Sequence, residues 1–247
     1  MEATCWHATP DNLTLGRNEV HVWRADLRLP QSEIKRLLSI LSKDEHRRAT
    51  SFRTSYHKGR FIAARGTLRR ILSLYLCIQP ERLLFTYGNH GKPKLATEIN
   101  KDWLQFNLSH SGDYALYAVT ADRRIGVDIE VVSPKRRHNR IPERFFHPQE
   151  IRALRALPKS QQLDAFYTCW TRKEAYIKSR GLKLMSELNR FSIPLEPGKQ
   201  VTVIEVDHNP ENIDRWTIMD INPFSGYRAA LAVEGEDIDV SFRLWEN

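Results

Sequence analysis

The segment that most constrains this chain is 125–130, with the sequence Ile-Gly-Val-Asp-Ile-Glu, whose alternation predicts a strand. Asp128 and Glu130 then share one face, and the apolar residues lie on the other. A helix is predicted over 161–180, where Glu174 and Lys178 are one turn apart on one face. Three carboxylates from two separate elements could hold a hard divalent cation beside a lysine. This combination predicts Mg²⁺-assisted phosphoryl chemistry.

Each part of this set also has an ordinary structural explanation. Strand acids are common at exposed sheet edges, and a Glu-to-Lys pair on a surface helix contributes only about 0.3–0.5 kcal/mol. Two features favour the metal interpretation: the apolar framing of the strand, and an apolar stripe of Phe166, Trp170 and Ile177 on the helix. Both indicate burial, and buried carboxylates need a cation as a partner.

The rest of the chain predicts helices and strands in a mixed order. Strands are predicted at 20–27, 83–87, 103–108, 114–120, 125–131, 190–194, 200–206, 215–221 and 227–233. Helices are predicted at 31–41, 56–77, 148–156 and 161–180. A capping box formed by Ser42 and Glu45 predicts that a further helix begins there, directly after the 31–41 helix. The 114–120 and 125–131 strands are expected to pair as a hairpin, which would place the strand acids in the middle of the protein.

Two short sequence echoes indicate a duplication. Segment 61–66 resembles 176–181, and 41–47 weakly resembles 146–152. They predict an α/β (α+β) fold of two similar α/β lobes related by pseudo-twofold symmetry. The lobes would be residues 1–122 and residues 123–247, with the metal site on the second. The interface between two such lobes is a natural ligand cleft.

The composition predicts a basic protein of a reducing cytoplasm. The net charge of +8 favours nucleic acid, a phosphorylated cofactor or an acidic protein as a partner. The basic runs at 43–70 and 135–140 are explained equally well as solvated surface. Three widely spaced cysteines fit neither a disulfide framework nor a zinc site. The sequence shows neither a membrane-spanning apolar run nor a secretion signal, so no membrane association is expected.

Two further segments carry groups that suit phosphate binding. Gly91-Lys92-Pro93 presents a lysine on a stiffened turn, and 106–112 places hydroxyls and an imidazole at a strand end. A plain basic turn and an ordinary loop histidine are the structural alternatives. Glycine-rich loops of the dinucleotide or P-loop kind are missing, so ATP and NAD are not suggested.

Taken in order, these segments resemble the 4′-phosphopantetheinyl transferases. The closer match is the long, two-lobed (surfactin-synthetase-type) class, which serves polyketide, nonribosomal peptide and, in some bacteria, fatty-acid synthases. The matching segments are 91–93, 106–111, 125–130, 170–178 and 191–193.

The resemblance implies an enzyme that binds coenzyme A in the cleft between the lobes. Its Mg²⁺ would be held by Asp128, Glu130 and Glu174. The 4′-phosphopantetheine arm would move to a serine of an apo acyl or peptidyl carrier protein, and adenosine 3′,5′-bisphosphate would leave. The sequence leaves open which carriers are used and whether Mg²⁺ or Mn²⁺ is preferred.

The resemblance also implies contacts with coenzyme A. Lys92 and Pro93 would flank the adenine and 3′-phosphate. Ser109 and His110 would hold the 3′-phosphate, and Lys178 would contact the bridging phosphates. Less secure contacts are implied at Arg48, Arg65 and Lys173. At Glu45 the family often has a basic residue, so a direct phosphate contact there is in doubt.

A general base should accept the proton of the carrier serine. Glu174 is the first candidate and Glu130 the second, and Lys178 completes the predicted catalytic set. A basic protein would suit coenzyme A and an acidic carrier, and two lobes in one chain favour a monomer. The segment 135–140 could dock the carrier or be an exposed loop.

Two rival functions remain open at this point. A basic nucleic-acid-binding module would explain the charge, but it leaves the apolar-framed acids unexplained. An inactive scaffold that binds carrier proteins is the other rival, although every position that the mechanism needs is filled.

Overall fold

Helices and strands follow one another much as the sequence predicts. The computed structural model describes residues 4–8, 13–88, 91–100, 103–134, 141–182, 184–196, 205–206 and 216–246. The strands are β1 (Glu19–Asp26), β2 (Phe85–Tyr87), β3 (Pro93–Leu95), β4 (Leu104–Ser111), β5 (Tyr114–Ala121), β6 (Ile125–Val131), β7 (Phe191–Ser192), β8 (Glu205–Val206), β9 (Trp216–Ile221), β10 (Tyr227–Glu234) and β11 (Asp239–Leu244). The helices are α1 (Gln31–Ser39), α2 (Lys43–Thr50), α3 (Ser55–Leu76), α4 (Thr97–Asn100), α5 (Ile141–Phe145), α6 (Pro148–Ala156), α7 (Lys159–Arg180) and α8 (Leu184–Glu187), with a 3₁₀ turn at Pro80–Arg82. The predicted mixed α/β class is confirmed.

The predicted hairpin between residues 114–120 and 125–131 is wrong. β5 pairs with β1 on one side and with β4 on the other, so neither of its edges is open to β6. β6 pairs instead with β10, antiparallel, in a different sheet. The short turn between β5 and β6 contains Asp122 in the left-handed region, and there the chain passes from one sheet to the next.

The first sheet has the strand order β11-β1-β5-β4. Alternation along β1 and β5 sends Trp23, Ala25 and Tyr117 into a core with α1 and α3. The opposite face carries Val22 and Leu116, which pack against the second sheet. Both faces of this sheet are therefore buried, which explains the nearly continuous apolar runs in its strands.

The second sheet has the order β6-β10-β9 and is covered by α7. α7 crosses β6 at Gly126, where a Cβ atom would lie 2.1 Å from the Ala175 carbonyl oxygen and 2.5 Å from the Ser179 nitrogen. Only a glycine allows two backbones to approach this closely. The crossing brings the acids of β6 next to the side chains of α7.

A repeated arrangement supports the predicted duplication. α2 and α6 both begin with a capping box, closed by Glu45 in α2 and by Glu150 in α6. Each glutamate is buried and pairs with a buried cation of a 22-residue helix: Arg69 of α3 and Lys173 of α7. The pseudo-twofold relation of the lobes, and their boundary at residue 122, stay predictions.

The last strand was not predicted, and it lies far from its neighbours in the sequence. β11 runs parallel to β1, so residues 239–244 complete the sheet of the first half of the chain. The predicted 200–206 strand lies mostly outside the described residues, apart from β8. Among the described helices, none combines the length and apolarity needed to cross a membrane.

Candidate active site

The acids of β6 face α7, as the strand pattern predicts. Val127 and Ile129 point into the apolar core between the sheets. Asp128 is 2% exposed on the opposite face, with Glu130 two residues further along the same face. Glu174 of α7 meets them there, and each of the three carboxylates offers an oxygen within 4.8 Å of the others. The predicted proximity of the three acids is confirmed.

Lys178 balances part of this negative charge. Its ammonium donates to Asp128 Oδ1 and to Ser109 Oγ, and it lies 3.4 Å from Glu174 Oε2. Burial disfavours the charge of Lys178, but the two carboxylates raise its pKa. One ammonium among three carboxylates leaves an excess of negative charge.

The pKa values of two acids of this cluster are raised, chiefly by burial. Burial raises the pKa of Glu174 to about 7, and the neighbouring Asp128 carboxylate adds to the effect. Burial likewise raises the pKa of Asp128, while Lys178 opposes the rise. In both acids burial is the largest cause, and the nearby Lys178 ammonium does not offset it.

The second carboxylate oxygen of Asp128 also indicates that the site fits a divalent cation. Within the described residues, Oδ2 of Asp128 is buried and has no hydrogen-bond partner, while Oδ1 accepts from Ser109 and Lys178. A buried, unpartnered carboxylate oxygen is costly unless a ligand or ion contacts it. A hard cation with oxygen ligands fits this set of donors.

β4 lies alongside β6 and is joined to it by side chains. Ser109 Oγ donates to Asp128 Oδ1 over 2.8 Å, and Ser111 Oγ donates to Glu130 Oε2 over 2.8 Å. Asn107 accepts a hydrogen bond from the backbone N–H of Val127. The role of Ser111 and Asn107 was missed, although period-two spacing from Ser109 places both on the same face.

His110 is an exposed residue at the same end of β4. Desolvation by the surrounding protein lowers the pKa of its imidazole, Lys178 lowers it further, and Glu130 opposes the change. These influences show that the imidazole is close to the charged groups of the site. Ser109, His110 and Lys178, three of the predicted coenzyme A contacts, are therefore brought together.

Lys92 and Pro93 lie at the start of β3, in the hairpin that β3 forms with β2. The Lys92 ammonium donates to the carbonyls of Ile125 and Lys178. Burial lowers its pKa to about 8, helped by Lys94 and Arg124. This segment thus touches both β6 and α7.

Two other predicted contacts have buried structural partners. Lys173 is 0% exposed, and its ammonium bonds to Glu150 Oε1 and to the Phe191 carbonyl. Arg65 pairs with Glu45 and donates to the Tyr87 hydroxyl. These contacts oppose direct binding of coenzyme A by either cation.

Three other sequence features complete the comparison with the predicted site. Glu45, which departs from the basic residue that the family often has at this position, is buried against Arg65 and Arg69. Arg48 is exposed on α2, where it approaches the Phe52 ring. The segment 135–140 lies outside the described residues.

Comparison with known proteins agrees with the resemblance. A family model described as "4′-phosphopantetheinyl transferase, N-terminal" matches residues 28–122, and one described as "4′-phosphopantetheinyl transferase superfamily" matches residues 124–232. The 4′-phosphopantetheinyl transferase HetI of Nostoc sp. is 39% identical over 232 residues, covering 93% of this chain and 94% of HetI. The chain belongs to the 4′-phosphopantetheinyl transferases.

A second relative bears on the class of this 4′-phosphopantetheinyl transferase. The enzyme Sfp of Bacillus subtilis is 30% identical over 216 residues, covering 86% of this chain and 90% of Sfp. Matches over nearly the full length of both relatives confirm the predicted long class. Phosphopantetheinyl transferases use coenzyme A as a substrate and transfer its 4′-phosphopantetheine group to carrier proteins, which is the enzyme class of this chain.

Proposed function

We propose that this transferase moves the 4′-phosphopantetheine arm of coenzyme A to a serine of apo acyl or peptidyl carrier proteins in a Mg²⁺-dependent reaction that releases adenosine 3′,5′-bisphosphate. The observation that carries the proposal is the cluster of Asp128, Glu130 and Glu174, whose oxygens lie within 4.8 Å of one another. The buried, unpartnered oxygen of Asp128 supports a bound cation at this cluster.

Asp128, Glu130 and Glu174 would hold the Mg²⁺. When bound, Mg²⁺ supplies positive charge that neutralises the pyrophosphate of coenzyme A. Ser109 and Ser111 each donate to one of the β6 acids, which fixes the orientation of these carboxylates. A supporting layer of this kind is what a precise ligand set requires.

Lys178 is proposed to contact the bridging phosphates. Its ammonium already lies among acids and can exchange part of those contacts for phosphate oxygens. His110 and Ser109 lie beside it at the end of β4 and would bind the 3′-phosphate. Pro93 would line the adenine side, and the exposed Arg48 remains available for a phosphate.

For the general base we propose Glu174, with Glu130 as the second candidate. Both carboxylates belong to the cluster that would surround the reacting phosphate, where a carrier hydroxyl would have to arrive. Removal of the serine proton by a carboxylate makes the hydroxyl oxygen a better nucleophile. Lys178 then stabilises the charge that accumulates on the phosphate oxygens.

The proposed partners are those whose negative charge complements the positive charge of this protein. A net charge of +8 suits coenzyme A and the acidic helices expected of a carrier protein. We propose a monomer with no nucleic-acid partner, since the acid cluster would repel phosphate backbones without a cation. The free cysteines, Cys5, Cys77 and Cys169, are consistent with a reducing cytoplasm.

The test is intact-protein mass spectrometry of an apo acyl carrier protein and an apo peptidyl carrier protein after incubation with the enzyme, coenzyme A and Mg²⁺. The expected result is a mass gain of one phosphopantetheine arm, with release of adenosine 3′,5′-bisphosphate, and loss of both with a chelator. A mass gain that persists in chelator would refute the metal dependence. Coenzyme A binding without transfer to either carrier would refute the proposed reaction.

A further inference from the structure

Lys92 makes contacts that a phosphate-binding lysine would not make. Among the described residues, its ammonium donates to three main-chain carbonyls: Lys178 over 2.7 Å, Ile125 over 3.0 Å and Ser179 over 3.4 Å. Two of these carbonyls belong to α7 and one to the first residue of β6. The side chain therefore joins two elements of the second half of the chain from a hairpin of the first half.

These carbonyls flank the place where α7 crosses β6. At Gly126 the two backbones are in direct contact, since a Cβ atom there would lie 2.5 Å from the Ser179 nitrogen. Asp128 follows two residues later on β6, and Lys178 directly precedes Ser179 on α7. The position of this crossing thus determines where Asp128 and Lys178 meet.

The crossing is also the end of a helix. α7 ends at Arg180, and the last carbonyls of a helix lack partners within the helix. Gly181 N–H returns to the Lys178 carbonyl, and the Lys92 ammonium supplies donors to the Lys178 and Ser179 carbonyls. A cation at this end also interacts favourably with the helix dipole.

We infer that Lys92 is a positioning residue of the transferase: its ammonium clamps the crossing of α7 over β6 and so fixes Lys178 and Glu174 relative to Asp128, without touching coenzyme A. The inference rests on the proposed function, because it assigns Lys92 to the assembly of that same site. It replaces the adenine and phosphate contact that the sequence resemblance implies for this side chain. With a pKa of about 8, the ammonium is largely charged at neutral pH.

The first test separates positioning from ligand contact. Lys92→Met keeps most of the length of the side chain and removes its donors, and Lys94→Met is the matched control at an exposed position two residues further along, in β3. We expect Lys92→Met to lower kcat by about 10–100-fold, the effect typical of lost supporting contacts. The Kd for coenzyme A, from isothermal titration, should change by a much smaller factor than kcat, because the lost donors of Lys92 do not themselves contact the ligand. Lys92→Arg, which keeps charge and donors, should recover part of kcat.

The second test needs no catalytic activity. Amide hydrogen exchange of residues 175–182 should accelerate in Lys92→Met and stay unchanged in Lys94→Met, because only the first variant frees the end of α7. If wild-type protein shows no transfer and this acceleration is still observed, the clamp stands and the proposed function falls. Unchanged exchange, a weaker Kd with normal kcat, or normal kcat in Lys92→Met would each overturn the inference.

Discussion

At the scale of single residues, the site depends on Asp128. One of its oxygens is bonded to Ser109 and Lys178, and the other is buried without a partner in the described structure. Such an arrangement destabilises a protein unless a ligand compensates for it. Residues that conflict with the rules of stability in this way are expected at functional sites.

Asp128→Asn should abolish transfer without destabilising the metal-free fold. The loss of one cation ligand is expected to lower the transfer rate by at least about 10²-fold, the usual effect of removing an electrostatic group from an active site. Thermal unfolding without Mg²⁺ should not occur at a lower temperature, because one of several mutually repelling carboxylates is gone. Glu143→Gln, at an exposed acid paired with Arg155, is the control and should transfer normally. Near-wild-type transfer by Asp128→Asn would contradict the metal assignment.

Strand and helix periodicity was sufficient to predict the acids and Lys178. Side chains two apart on a strand, or four apart on a helix, share a face whatever the tertiary structure is. The direction of the Lys92 side chain could not be predicted, because its carbonyl acceptors belong to elements that are distant in the sequence. The burial of Lys173 likewise depends on Glu150 of another helix.

At the scale of secondary-structure elements, most of the predicted bounds agree with the structure. Helix lengths and the capping box at Ser42 follow from local sequence. The partner of β6 was predicted wrongly, because the side-chain pattern of a strand indicates which face is buried and not which strand lies beside it. A short connection between β5 and β6 suggested a hairpin, although both edges of β5 are occupied.

Gly126→Ala should loosen the contact between α7 and β6. The new methyl group would overlap the Ala175 carbonyl oxygen and the backbone of Ser179, so α7 has to shift. Overpacking of this kind is expected to lower the free energy of unfolding by about 1–3 kcal/mol. Transfer activity should fall as well, because the acids and Lys178 separate.

Gly59→Ala is the matched control for this substitution. Gly59 lies in α3, and a Cβ atom there meets nothing within 4 Å. The change should raise the free energy of unfolding by up to about 1 kcal/mol through helix propensity and leave transfer unchanged. Equal effects of the two substitutions in urea denaturation would contradict the close crossing.

Glu150→Gln should destabilise the second half of the chain. The substitution leaves the buried Lys173 ammonium without its acid, and breaking a buried pair in this way costs about 3–5 kcal/mol. Glu150→Gln combined with Lys173→Met removes both charges and should lose less stability than the single change. The measurement is the free energy of unfolding of both variants in urea. If the double variant were less stable than the single one, the structural role of Lys173 would be refuted.

At the scale of the whole molecule, the last described strand of the chain pairs with the first one. β11 pairs with β1, and Arg243 of β11 contacts the buried His21 ring of β1. The His21 ring also bonds to the Tyr75 hydroxyl of α3. This long-range closure could not be predicted, since each of the strands carries only an ordinary local pattern.

Stability should fall in mild acid because of His21. Burial, and then the charge of Arg243, lower the pKa of His21 from 6.5 to about 4, while Glu19 opposes the shift. Between pH 6.5 and pH 4, the His21 side chain therefore binds a proton in the unfolded chain but not in the folded protein. The contribution of His21 to the free energy of unfolding is fully present above pH 6.5, and up to about 3 kcal/mol is lost as the pH falls towards 4. Urea denaturation at pH 7 and pH 5 should show a smaller loss in His21→Gln, and equal losses would contradict the assignment.

The three carboxylates are proposed to hold Mg²⁺ together with coenzyme A. Isothermal titration of coenzyme A into the wild-type protein, with Mg²⁺ and with a chelator, tests this proposal most directly. We expect clearly tighter binding with Mg²⁺, and loss of this enhancement in Asp128→Asn but not in Glu143→Gln. Equal affinity with and without Mg²⁺, or an enhancement that survives in Asp128→Asn, would contradict it.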